Sequence, residues 1–316
     1  MFKSSDYGES WQSIVGSGEH ALPADDFVRV VRADPGCPGL LYAGTENALY
    51  VSFDDGESWQ RWRSNLPITP IYDLKVKGSD LVVATHGRSF WILDDLTPLH
   101  QAMTANGPVL YRPRSTWRLL PDIFETITGT DGRDYAIGLG QGANYVSHKT
   151  DDGHLEREFF DAGEAAPPGA LIYIHLPEAI NDEDQATLSI HAADGTSIRS
   201  YGVKPKDWES GSDADKAFAP GPWLPVQAGM HRFVWDLRHE AATRLHGNKT
   251  GSEANRGPLA LPGHYEARLT IAGRTQSQTF EVINDPRSDA TFEELESQLT
   301  LLLAIRDKLS EVYSCL

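Results

Sequence analysis

The stretch "SFDDGESWQ", residues 52–60, decides how this chain is read, because residues 4–12 spell nearly the same phrase, "SSDYGESWQ". The copies start at Ser4 and Ser52, a separation of 48 positions (52 − 4). Such a phrase is either a catalytic site used twice or a structural device stamped on each copy of a repeat. The spacing lies in the range of propeller blades and solenoids. Between the copies, "DFVRVVRADP", "GLLYAGT" and "ALYVSFD" read as strands, with "SWQRWRS" as a fourth after the phrase. Pro35, Gly36, Pro38 and Gly39 supply turn chemistry. Four short strands are the content of one blade. A second unit follows with "IYDLKVKG", "DLVVATHG" and "SFWILDD". Aligning Ala43 with Ala84 places Leu49, Tyr50 and Val51 on Phe90, Trp91 and Ile92, and Asp54 on Asp95. The repeat decays there, as terminal repeats do.

Each member of the phrase has a structural role. An Asp in a turn accepts hydrogen bonds from backbone N–H groups a few residues on. Gly8 and Gly56 can take a positive φ. Trp11 and Trp59 open the next strand and can bury a large flat area. Ser4, Asp6, Gly8 and Trp11, and likewise Ser52, Asp54, Gly56 and Trp59, are therefore expected to be architectural.

Both phrases resemble the Asp-box (BNR) repeat, Ser-x-Asp-x-Gly-x-Thr/Ser-Trp, found in sialidases, xyloglucanases, sortilin-like receptors and photosystem assembly factors. "VVATHGRSFWILDDLTPL" looks like the last propeller segment of large, usually secreted bacterial proteins of the glycosyl-hydrolase BNR-repeat or sortilin-like group. The likeness continues through "GEAAPPGALIYIHL", "GMHRFVWDLRHE" and "GPLALPGHYEARLTIAGRTQSQTFEVINDPR", and ends in "IRDKLSE". It covers most of the chain but only the C-terminal third or so of such a protein. The resemblance implies an extracellular or periplasmic setting for the parent. "MFKSSDYGES" has no apolar signal-peptide core and opens inside a motif, which predicts a start further upstream.

The 316 residues suffice for two domains. A net charge of −17, from 45 acidic and 28 basic residues, argues against nucleic acid and against an anionic membrane surface. No apolar run approaches a membrane span. Cys37 and Cys315 are too few and too separate for a disulfide framework.

Residues 99–166 read as an irregular connector, within which "VLYRPRSTWRLL" could be a strand. "GTDGRDYAIGLGQGAN" is glycine-rich and reads as a loop without the dinucleotide fingerprint. "ALIYIHL", "ATLSIHA", "TSIRSYG", "MHRFVWDL", "HYEARLTIA" and "RTQSQTFEVI" then read as strands of an immunoglobulin- or fibronectin-like sandwich over 167–287. Two polar inserts, 204–223 and 241–258, are expected to be surface loops. Residues 288–316 read as a helix. Thr291 and Glu294 form a capping box, and Phe292, Leu295, Leu299, Leu302, Ile305 and Leu309 make one stripe.

Chemistry is harder to find. Eleven histidines give no His-Glu-x-x-His, Cys-x-x-Cys or His-x-His pattern, so neither a metal site nor a cofactor is expected. No Gly-x-Ser-x-Gly elbow occurs. Glycosidases need carboxylates facing across the scissile bond, and two and a half blades cannot complete a ring site. In a four-stranded meander the turn between strands two and three lies at the end opposite the Asp-box. That turn carries Glu46 and Asn47 in one copy and His86 and Arg88 in the next, the candidate ligand-binding residues. The expected fold is mainly β: the last blades of an Asp-box propeller (1–98), the connector, the sandwich and a C-terminal helix. The expected function is a non-catalytic binding or scaffold fragment for a glycan or protein partner. The alternative is a piece of a glycoside hydrolase whose catalytic blades lie upstream. An open blade edge would also invite self-association.

Overall fold

The computed structural model describes residues 1–62, 64–102, 109–119, 132–138, 141–149, 155–159, 167–181, 185–206, 222–243 and 256–315. It is mainly β, with several sheets and a C-terminal helix, and divides into two compact units, Met1–Ala105 and Asn106–Leu316.

The first unit holds β1 (Phe2–Lys3), β2 (Gln12–Ser13), β3 (Val28–Ala33), β4 (Leu41–Thr45), β5 (Leu49–Ser52), β6 (Gln60–Trp62), β7 (Ile71–Lys77), β8 (Asp80–Thr85), β9 (Phe90–Leu93) and α1 (Thr97–Ala102). They form three antiparallel sheets in chain order, β1-β2, β3-β4-β5-β6 and β7-β8-β9. Side chains alternate across a strand, and this alternation buries both faces of the middle sheet. Leu41, Ala43 and Tyr50 pack with Ile14, Leu22 and Trp59 on one side. Tyr42, Leu49 and Val51 pack with Ile71, Leu74, Leu81 and Val83 of the next sheet on the other. Among the described residues the third sheet is packed on one side. Phe90 and Ile92, which follow Leu49 and Val51 in the repeat, are 76% and 58% exposed where the earlier pair is buried.

The register corrects one detail of the repeat. Ala43 lies opposite Tyr50 and Val83 opposite Trp91, so Ala43 corresponds to Val83 and Gly44 to Ala84. The turn after β8 is one residue longer than that after β4, which the sequence alignment had absorbed as a slip. After β9 the chain enters α1. Asp95, where the third Asp-box carboxylate would stand, accepts the backbone N–H and hydroxyl of Thr97 at 3.0 and 2.6 Å.

The second unit holds β10 (Val109–Leu110), β11 (Thr116–Arg118), β12 (Gly132–Gly138), β13 (Gln141–Lys149), β14 (Leu155–Phe159), β15 (Ala170–Leu176), β16 (Ala186–Ala192), β17 (Ser197–Gly202), β18 (Gly229–Trp235), β19 (Gly263–Ile271), β20 (Arg274–Asn284) and α2 (Phe292–Ser314). Its sheets run β10-β15-β18, β11-β20-β19-β16-β17 and β12-β13-β14. All pairs are antiparallel except β11 with β20. The first two sheets contribute to one core, in which Trp235 lies 5.1 Å from Tyr265 and 5.9 Å from Phe280 between ring centroids.

The stretch read as an irregular connector bears more strands than the one read in "VLYRPRSTWRLL". β10 joins β15 and β11 joins β20, over sequence distances that no local pattern reports. The glycine-rich stretch read as a loop is corrected too: β12 and β13 pair from Gly132↔Ser147 to Gly138↔Gln141. Glycine weakens a strand's own preference, but the partner strand decides. Most of the two polar inserts lies outside the described residues. The capping box of α2 forms, with Glu294 N–H donating to the Thr291 hydroxyl at 3.3 Å and Thr291 N–H to the Glu294 carboxylate at 2.8 Å.

Candidate binding surface

Both Asp-boxes are built from the same bonds. In the second, Ser52 Oγ donates to Asp54 Oδ1 at 2.8 Å, and Ser58 donates its N–H to Oδ1 at 2.8 Å and its hydroxyl to Oδ2 at 2.5 Å. Gly56 N–H donates to Ser52 Oγ at 2.9 Å. In the first, Ser4, Asp6, Gly8 and Ser10 repeat the set at 2.8, 2.9, 2.6 and 2.6 Å. Those donors hold the Asp6 carboxyl down at about 2. For Asp54 burial pushes upward, and the donors of Ser58 and Ser52 outweigh it, so its carboxyl also stays low. A carboxylate committed to its own turn serves as a brace. Ser10 and Ser58 belong to that brace and were not singled out from the sequence.

At the other end of these sheets the turns after β4 and β8 sit beside two β-bulges. The registers of β3 on β4 and of β7 on β8 both skip a residue, at Arg29 and at Tyr72. A bulge re-aims the side chain it carries, and these two meet. The Arg29 guanidinium lies 4.2 Å from the Tyr72 ring centroid and 5.6 Å from that of Phe27. Arg29 also forms an ion pair with Glu46. Tyr72 stacks in turn on His86, centroids 4.8 Å apart at 31°. Phe27, Tyr72 and His86 are exposed. The result is a row, Phe27–Arg29–Tyr72–His86, flanked by the Glu46 carboxylate.

The structure therefore joins Glu46 to His86 through two residues that sequence reasoning missed. A bulge has no signature within a single strand, so neither Arg29 nor Tyr72 could be singled out by pattern. Asn47 is exposed, but its side chain is tied to a buried carboxylate instead. Its amide donates to Asp26 Oδ1 at 3.0 Å, and Thr45 Oγ1 donates to Asp26 Oδ2 at 2.8 Å. Arg88 is exposed on the same turn as His86, and its carbonyl accepts the Trp91 indole N–H at 2.8 Å. Its guanidinium has no partner among the described residues.

A second polar cluster lies in the same unit. The carboxylate of buried Asp34 bonds His100 Nε2 at 2.9 Å, the Tyr42 hydroxyl at 2.8 Å and the Gly36 N–H at 2.8 Å. Burial pushes the Asp34 carboxyl up, but these bonds prevail and it is lowered. Burial, and then Asp34, push the neighbouring Cys37 thiol up. The His100–Asp34 bond fastens α1 to the β3–β4 connection. Neither Cys37 nor Cys315 forms a disulfide. Among the described residues no three His, Cys, Asp or Glu side chains converge to hold a metal ion, and no helix is long and apolar enough to cross a membrane.

Compared with known proteins, the chain matches no protein-family model and no curated relative.

Proposed function

We propose that residues 1–98 are the last blades of an Asp-box β-propeller, that residues 167–287 with β10 and β11 form an immunoglobulin-like sandwich, and that the protein is a non-catalytic binding module recognising a glycan. The observation that carries this reading is the exposed Phe27–Arg29–Tyr72–His86 row opposite the Asp-boxes. Flat ring faces suit the apolar faces of sugars, while Arg29, Glu46 and Arg88 offer hydrogen bonds and charge to hydroxyl groups. Aromatic and arginine side chains dominate binding energy where they cluster. The resemblance of the Asp-box segments adds a secreted setting.

The blade reading rests on the stacking of one sheet upon the next and on the recurrence of the Asp-box. It also gives the uncovered face of β7-β8-β9 a meaning. Phe90 and Ile92 stand where a further sheet would cover them, and the outer edge of β9, which pairs with no strand among the described residues, invites self-association. Sedimentation of wild type beside Phe90→Lys checks this, with loss of any concentration-dependent dimer expected in the variant.

The test of function is a glycan-array screen and a glycosidase panel on the purified chain, with Tyr72→Ala and Arg88→Ala beside it. Expected are glycan binding without turnover and a loss of about tenfold or more on Tyr72→Ala, with a smaller loss on Arg88→Ala. Turnover of a glycoside, or binding indifferent to both substitutions, overturns the reading.

A further inference from the structure

The second unit carries a cavity of about 530 Å³ beneath α2, within the size range of small-molecule sites. Its charge is unexpected. Arg118, Arg238, Arg256 and Arg306 all line it, with no Asp or Glu among the lining residues, in a chain whose net charge is −17.

Two of the four are engaged locally. Arg238 Nη1 donates to the Gly257 carbonyl at 2.8 Å, and Arg306 donates to Asp307 Oδ1 at 2.6–2.8 Å. Arg118 differs. It ends β11, so the parallel pairing of that strand with β20 holds it in place. It is 8% exposed, yet its Nε donates only to the carbonyl of Ala260 at 2.8 Å. A carbonyl satisfies one N–H without neutralising the charge. Both terminal nitrogens lack a hydrogen-bond or ion-pair partner among the described residues. A buried, uncompensated guanidinium is costly, and its planar fork matches a carboxylate.

The lining contributed by α2 is mostly apolar. Leu295, Leu299, Leu302 and Ile305 of α2 line the cavity. Leu302 and Ile305 remain 38% and 49% exposed although they lie on the helix stripe that elsewhere would be packed. The lining thus combines a forked cation with a strip of aliphatic surface.

We infer that this cavity binds a small amphiphilic carboxylate, its head on Arg118 and its aliphatic tail along Leu299, Leu302 and Ile305. The site is distinct from the exposed row of the first unit and stands independently of the function proposed for that row.

Calorimetric titration of the full chain with decanoate below its micelle concentration tests the inference, with 1-decanol and decyltrimethylammonium as uncharged and cationic counterparts. Wild type should bind decanoate at least about tenfold more tightly than either counterpart, since a charge-assisted pair is at stake. Arg118→Met should bring decanoate to the level of decanol. Leu302→Trp, on the solvent-reaching side of the helix, should fill the cavity and abolish binding while leaving the far-ultraviolet spectrum unchanged. If Arg118→Met does not fold, the comparison of ligands on wild type and the Leu302→Trp variant still decide. Absence of decanoate binding, equal affinity for decanol, or decanoate binding unaffected by Leu302→Trp overturns it.

Discussion

Trp59 donates its indole N–H to the carbonyl of Ile14 at 2.9 Å, a hydrogen bond that joins the second Asp-box to the chain following the first. It is 3% exposed. Trp11 holds the same place in the first Asp-box, on the same brace of Ser, Asp and Gly, and is 64% exposed. Identical local structure thus yields opposite burial. What differs is the neighbour: Trp59 has Ile14 and Leu22 to pack on. The motif shapes its turn by itself, whereas the tryptophan contributes only when a neighbour covers it.

Truncating the two tryptophans separates these effects. Trp59→Ala should destabilise the first unit by ~3–5 kcal/mol, the cost of removing a large buried aromatic. Trp11→Ala should stay within about 0.5 kcal/mol of wild type, as exposed positions do. Urea unfolding of the two variants checks this, and equal losses would mean that the tryptophans do not differ in packing.

The two glycines of the motif extend the comparison. Gly56 and Gly8 have nearly the same φ, 93° and 96°, so an added Cβ strains both backbones alike. At Gly56, however, that Cβ would fall 2.7 Å from Ile14 Cβ, whereas at Gly8 its nearest neighbour would be Trp11 Cζ2 at 3.8 Å. Gly56→Ala should therefore cost ~1–3 kcal/mol more than Gly8→Ala, the usual penalty of overpacking. Thermal unfolding of the two variants side by side reads the difference.

Asp54→Ala should cost on the order of 1 kcal/mol, as loss of a local side-chain-to-backbone cap does. Ligand binding should be unchanged, because the carboxylate is spent on Ser52 and Ser58 at the end away from the exposed row. Calorimetric melting together with the glycan screen reads both quantities. Intact stability with lost binding would reverse the architectural role assigned to the Asp-box.

What the sequence showed was local. The Asp-box turns, the alternating strands and the Thr291–Glu294 capping box each rest on interactions within a few residues, and each is visible as a spacing. What stayed hidden depends on distant partners. Trp117 pairs with Ile283, and Leu110 with Ile174, but nothing in "VLYRPRSTWRLL" says so. The bulges at Arg29 and Tyr72 exist only relative to β4 and β8, so the row they build was invisible although Glu46 and His86 at its margins were named. Arg118 was likewise unremarkable until β11 found β20.

That pairing changes where the second unit can be cut. A fragment of residues 167–287 would lose β10 from beside β15 and β11 from beside β20. It should melt at a lower temperature and with a broader transition than residues 106–316, which keep both strands and α2. Differential scanning calorimetry of the two fragments decides. Indistinguishable melts would show that β10 and β11 add nothing to the core.

His239 gives the second unit a dependence on pH. Its ring is buried, and burial, then the neighbouring Arg306, depress it from 6.5 to about 4. In the unfolded chain the imidazole takes up a proton near its ordinary value, while the folded chain resists until about pH 4. Between these values the unfolded state holds more protons, so stability rises with pH and is lost as pH falls through that window. The loss should reach up to ~3 kcal/mol by the lower limit. Carboxylates of this unit held low by their partners, such as Asp194 and Asp285, act below their ordinary value of 3.8 and so leave the window largely to histidine. Urea unfolding of residues 106–316 at a series of pH values between about 4.5 and about 7 should show this slope in wild type and a shallower one in His239→Gln. An unchanged slope in the variant would remove His239 as its source.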